Sequence, residues 1–154
     1  MTIQKITLSD IPDIAKIEAE IQADPWTEGM FKDTLNAGAG NEGFVIKKDN
    51  LICAYLLIQM IVDECHILTI GVKKEYQHQG LATKLLTYLE STYLSSKPTT
   101  SHRLLLEVRE SNKPAIKLYQ KLNFQLLSFR KDYYKVFSNQ SGDNENALIY
   151  EKYI

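Results

Sequence analysis

Apolar residues recur at three- and four-residue spacing through Ile11, Ile14, Ile17 and Ile21, which predicts an amphipathic helix with Ser9 or Asp10 at its N-cap and Pro12 in its first turn. A short strand over 3–8 precedes it. Asp24-Pro25 breaks the period, and Thr27 is placed to cap a second helix carrying Met30, Phe31 and Leu35. The stretch 36–43, with Gly38, Gly40 and Gly43, reads as loop. Strands follow over 44–47, 51–62 and 65–72, the first two joined by a tight turn at Asp49-Asn50. The 51–62 run is apolar at both parities, so it is expected at the centre of a sheet covered on both faces.

Beyond residue 80 the period changes. Gly80 opens a helix with Leu81, Leu85, Leu86, Leu89 and Tyr93 on one face, and 95–101, with Pro98, reads as a linker. The apolar strand 104–108 is interrupted by Glu107. Ser111 is expected to cap a fourth helix bearing Pro114, Ala115, Leu118, Tyr119 and Leu122. A strand over 124–129, a polar loop over 131–144 containing Tyr133 and Tyr134, and a last strand over 147–153 complete the chain. The order β-α-α-β-β-β-α-β-α-β-β predicts an α/β (α+β) fold, with one mixed central sheet of about seven strands and four helices distributed over both faces. The unit 65–108 should make a right-handed parallel crossover.

At 154 residues the whole chain, 1–154, is expected to form a single domain. A composition of 44% hydrophobic and 24% charged residues excludes collagen-like and disordered classes. The net charge of −1 lacks the basic excess of a nucleic-acid-binding protein. No apolar run approaches the roughly 20 residues that cross a bilayer, and the N-terminus has no signal-peptide core, so a soluble cytoplasmic protein without a membrane partner is expected. Cys53 and Cys65 fall on consecutive strands, with Val62 expected opposite Cys65, which leaves no route to a disulfide. His66, His78 and His102 show no ligand spacing, so no metal is expected.

Three constellations carry candidate chemistry. Gln77-His78-Gln79-Gly80-Leu81-Ala82-Thr83 runs from a strand into a helix, where unpaired N–H groups bind anions. The same pattern also serves as plain turn chemistry, and it is neither a Walker loop nor a dinucleotide fingerprint. Glu107 either faces a solvated groove or, if buried, is shifted toward the range of a working base. Asn112 stands at a helix entrance, and Tyr119, two turns on, is either core packing or a reactive hydroxyl.

Gln77-x-x-Gly80-x-Ala82 is similar to the acetyl-CoA motif of the GNAT superfamily of N-acetyltransferases, and the chain resembles that superfamily over nearly its whole length. Leu106 to Asn112, running into Ala115, Leu118-Tyr119 and Asn123-Phe124, resembles the second signature of its ribosomal-protein-alanine branch. Pro25-Trp26-Thr27-Glu28 resembles that branch's first interhelical loop, and Arg130 to Tyr134 resembles the paired-tyrosine segment of protein N-terminal acetyltransferases. The resemblance implies acetyl-CoA as co-substrate, with His78, Gln79, Gly80, Leu81, Ala82 and Thr83 at its pyrophosphate. Ile70, Gly71 and Val72 would then lie along its pantetheine arm, and Asn112 would touch it as well. It further implies Glu107 as proton acceptor, Tyr119 as proton donor, and Trp26, Tyr133 and Tyr134 at the peptide. Ala82 and Asn123 replace common glycines, and Asn146 replaces a frequent Asp near the last strand. The expected activity is acetylation of the N-terminal alanine of a small-subunit ribosomal protein. The alternatives are a small-molecule amine acetyltransferase and a non-catalytic acetyl-CoA-binding module. An α-amine, with a pKa of about 7.7–8.0, asks less of a base than a lysine near 10.4, so a single carboxylate is adequate.

Overall fold

The structure is a computed structural model describing residues 1–38, 40–98, 102–134 and 145–154. After β1 (Thr2–Lys5) the chain makes one 3-10 turn, Leu8–Asp10, and enters α1 (Ile11–Ile21). Asp10 is the N-cap of α1, but its carboxylate turns back to accept from the Thr7 backbone N–H (2.9 Å) and hydroxyl (3.0 Å) and pairs with Lys47 Nζ at 2.9 Å. Thr27 caps α2 (Glu28–Asn36) by accepting from the Met30 N–H. The strand after the expected loop begins earlier than its apolar run: β2 is Asn41–Lys48. Asp49 and Asn50 both take positive φ, 52° and 64°, and fold β2 onto β3 (Leu51–Ile61).

Val62 and Asp63 make the next turn into β4 (Glu64–Val72), so Met60, not Val62, lies opposite Cys65. A one-residue error in placing a hairpin turn shifts every partner. Cys53 and Cys65 are free and buried. α3 (Leu81–Tyr88) follows Gly80 and widens into a π turn over Leu89–Tyr93, then a 3-10 turn over Leu94–Ser96; of the expected linker, 99–101 lie outside the described residues. β5 is Arg103–Arg109. The cap of α4 (Lys113–Lys121) is Asn112, not Ser111: Asn112 Oδ1 accepts from the Ala115 N–H, while the Ser111 N–H is itself bound by the Glu145 carboxylate. β6 (Gln125–Tyr134) carries Tyr133 and Tyr134 on a strand rather than in the expected loop, because pairing with β7 (Glu145–Tyr153) extends that far; 135–144 lie outside the described residues.

One seven-stranded mixed sheet results, in the order β1-β2-β3-β4-β5-β7-β6, with β4–β5 as its parallel pair. β3 is central and buried from Ile52 to Ile58. Ile52, Tyr55 and Leu57 pack against α1 and α2, and Ala54, Leu56 and Ile58 pack against the α3 and α4 side. The four helices thus divide two and two over the faces. Among the described residues no helix is long and apolar enough to cross a membrane.

Candidate active site

β4 and β5 are paired only from Glu64–Ile67 against Arg103–Leu106. Beyond that, β4 follows β3 to Val72 and β5 follows β7 to Arg109, so the sheet opens between them. A bulge marks the parting: Leu57 faces Thr69 and Ile58 faces Ile67, leaving Leu68 as the extra residue that bends β4. Lys73 N–H donates to Cys53 O (2.8 Å), so Gly71 and Thr69, two and four residues back, also turn their backbone groups toward β3. Ile70 and Val72 turn theirs into the gap, where Gln22 Nε2 donates to Ile70 O and Gln77 Nε2 to Val72 O, each at 3.0 Å. Gly71 contributes by its size, since a Cβ there would collide with the Tyr55 ring and with Ile21.

Two cavities flank the opening. One, of about 760 Å³, is lined by β4 from Ile67 to Val72, the start of α3, Asn112 and Tyr119. The other, of about 890 Å³, is lined by His66, Leu105, Leu127, Arg130, Tyr133 and Ile149 among others. Asp24, Trp26, Ile67, Leu68, Leu106, Glu107 and Arg109 line both. Both volumes suit a sizeable ligand.

At the α3 end of the first cavity His78 and Gly80 take φ of 63° and 78°, and a Cβ at Gly80 would project into open space. His78, Gly80, Leu81, Ala82 and Thr83 line this end; Gln79 is exposed and does not line it. Unpaired N–H groups at a helix start, beside an opening kept clear by a glycine, fit the pyrophosphate of acetyl-CoA, and the Ile70 and Val72 edge fits the amides of its arm.

Glu107 and Tyr119 reach this opening from opposite faces of the sheet. Leu106 and Val108 face the α3–α4 core, so Glu107, at the alternate parity, faces the α1–α2 side. Its side chain is 31% exposed and lies 3.4 Å from the Arg130 guanidinium, so it sits in a solvated groove and not in an apolar pocket. Tyr119 is buried on α4, its ring edge-on to Phe124 at 5.6 Å, and its hydroxyl has no hydrogen-bond partner among the described residues. Burial pushes its phenol up to about 12, so it stays protonated throughout the neutral range. Both residues line the first cavity only because β4 and β5 part between them. Burial likewise pushes the Cys65 thiol up to about 12, which leaves it a poor nucleophile, and it does not line either cavity. Among the described residues no group of three His, Cys, Asp or Glu side chains could hold a metal.

Leu127, Arg130 and Tyr133 share the second cavity although odd spacing places strand residues on opposite faces. Register shifts between Leu126 and Ser128 and between Arg130 and Tyr134 reverse the parity. Tyr134 pairs with Glu145, and Asn146 Oδ1 accepts from the Asp132 N–H, whose φ is 54°. Leu68, Gln22 and Glu18 are not legible in the sequence as site residues, and Arg130 is legible only as the start of the paired-tyrosine segment. For Glu18 a signal existed: a carboxylate four residues after Ile14 stands on the apolar stripe of α1.

Residues 11–124 match the Acetyltransferase (GNAT) family, and the chain belongs to it. It is 34% identical over 147 residues to a Bacillus subtilis protein named putative ribosomal protein bS18-alanine N-acetyltransferase, covering 96% of this chain and 91% of that one. It is also 34% identical over 148 residues to the Escherichia coli K12 ribosomal protein bS18-alanine N-acetyltransferase, covering 96% and 94%. The crystal structure of the ribosomal-protein-S18-alanine N-acetyltransferase from Escherichia coli matches with a TM-score of 0.86 and 32% identity over 99% of this chain and 93% of that one.

Proposed function

We propose that this chain transfers an acetyl group from acetyl-CoA to the N-terminal alanine of a small-subunit ribosomal protein of the bS18 kind, a reaction that belongs in the cytoplasm. The observation that carries this reading is the meeting of two cavities at Glu107, in a chain 34% identical over 96% of its length to enzymes named for that activity.

The first cavity takes acetyl-CoA, held by backbone groups at His78, from Gly80 to Thr83 and at Ile70 and Val72, with Asn112 beside them. The co-substrate supplies a thioester, an electrophile that a neutral amine attacks directly. The peptide enters the second cavity past Trp26 and Tyr133 and brings its α-amine to Glu107. Glu107 takes the proton from that amine, directly or through one water. Arg130, 54% exposed, is a weak partner that a bound peptide can displace. Tyr119 donates its proton to the departing thiolate. The dry surroundings that raise the phenol to about 12 also disfavour a bare thiolate, so acid and acceptor rise together.

Incubation with acetyl-CoA and short peptides, followed by mass spectrometry, tests the assignment. Peptides with a free N-terminal Ala should gain one acetyl group on the α-amine, ahead of Ser and Met peptides, and N-blocked lysine peptides should not. Acetylation of polyamines or aminoglycosides with no activity on any free N-terminus would replace this reading with that of a small-molecule enzyme.

A further inference from the structure

Glu18 is 1% exposed at the end of α1, yet it binds three separate parts of the chain. Tyr55 donates its hydroxyl to Oε1 at 2.6 Å from β3, and Thr69 donates to Oε1 at 2.9 Å from β4, one residue past the Leu68 bulge. The Trp26 backbone N–H donates to Oε2 at 2.9 Å from the α1–α2 connection. A carboxylate offers acceptors only and meets all three donors at once, whereas a Gln could keep the Trp26 N–H only by turning its Nε2 to the Tyr55 and Thr69 hydroxyls, which can accept; removal of the side chain, E18A, is therefore the change that breaks the Trp26 link. Trp26 and Leu68 both belong to the wall common to the two cavities.

We infer that Glu18 is a positioning residue for peptide entry: it ties the Trp26 connection to the diverging segment of β4 and so sets the wall of the second cavity before substrate arrives. The inference rests on reading that cavity as the peptide groove. Glu18 and Thr69 themselves line the first cavity, and Glu18 reaches the second only through Trp26 and the Leu68 bulge, so its effect there belongs to peptide KM.

Trp26 is the single tryptophan of the chain, so intrinsic fluorescence reports directly on the anchored connection. In E18A the emission should shift to the red and acrylamide quenching should rise. KM for an N-terminal-alanine peptide should rise on the order of tenfold, the loss expected for a hydrogen bond to a charged group, with a smaller rise in the acetyl-CoA KM and kcat nearly unchanged. Thr69→Val removes one donor but keeps the Trp26 link, and should raise peptide KM less while leaving the emission in place. If E18A does not fold, E18D, one methylene shorter and so drawn back from the Trp26 N–H, carries the same comparison. An emission spectrum identical in E18A and the natural protein would overturn the anchor. A shifted spectrum with unchanged peptide KM, or equal losses in kcat and both KM values, would overturn its role in peptide entry. Inactivity of the unaltered protein on every N-terminal-alanine peptide would instead sink the peptide reading, while the fluorescence comparison would still decide the anchor.

Discussion

Tyr119→Phe separates catalysis from packing more sharply than any other change at this site. The ring is 5% exposed and stacks edge-on against Phe124, and a phenylalanine keeps both contacts. Only the hydroxyl is lost; it has no hydrogen-bond partner among the described residues, and it is not one of the fully buried unpaired atoms, so it meets the cavity. A buried unpaired polar group costs about 1–3 kcal/mol, part of which is recovered where the hydroxyl meets the cavity. The variant should therefore be between equally stable and about 1 kcal/mol more stable, a Tm change of roughly 0 to +4 °C. Its kcat should nevertheless fall by about 10² to 10⁴, the usual worth of a positioned acid, while acetyl-CoA affinity stays the same. The pH dependence gives a second signature. The phenol is raised from 10.0 to about 12 in the folded state, so its contribution to stability is complete below pH 10 and is lost as pH rises through 12. That alkaline loss should be smaller in the phenylalanine variant. Stopped-flow single turnovers, thermal melts from pH 7 to 11 and calorimetry with acetyl-CoA measure all three. Near-normal kcat with chemistry rate-limiting would leave Tyr119 as a packing residue, and a markedly lower Tm would show that the hydroxyl has a structural partner.

Glu107→Gln keeps the side chain's shape but cannot take a proton, so kcat should drop by about 10² to 10⁴ near pH 7 and recover in part at pH 9.5, where more amine is already neutral; equal deficits at both values would make Glu107 a binding carboxylate. Gly80→Val places a branched side chain at φ 78° in the mouth of the first cavity and should weaken acetyl-CoA binding in calorimetry, checked against a melt because the backbone there is strained for any L residue. Burial acts to raise the Asp10 carboxyl, but Lys47 and Thr7 outweigh it and hold it below its ordinary 3.8, so this stabilisation is present above that pH and is lost as pH falls below it. Asp10→Ala should thus cost about 1.5–3 kcal/mol in urea unfolding at pH 7 and much less at pH 2.5.

Local periodicity determined the element order, the central place of β3 and the division of helices over both faces, because burial of one stripe or of two parities is written residue by residue. Gly80 was legible for the same reason: only the backbone at that position has to take φ 78°. The resemblance in short motifs pointed to Glu107 and Tyr119, but nothing local says that a strand residue facing α1 and α2 and a helix residue packed on the opposite face can act on one ligand. That depends on β4 and β5 parting after Ile67 and Leu106, a property of strand pairing between segments nearly forty residues apart. Bulges decided the rest. The extra residue at Leu68 bends β4 away, and the register shifts in β6 bring Leu127, Arg130 and Tyr133 to one cavity against their spacing. The cap of α4 moved from Ser111 to Asn112 because Glu145, from β7, binds the Ser111 N–H. Glu18 became intelligible only when Tyr55, Thr69 and Trp26 converged on it, since a buried carboxylate is tolerable only where distant donors meet it.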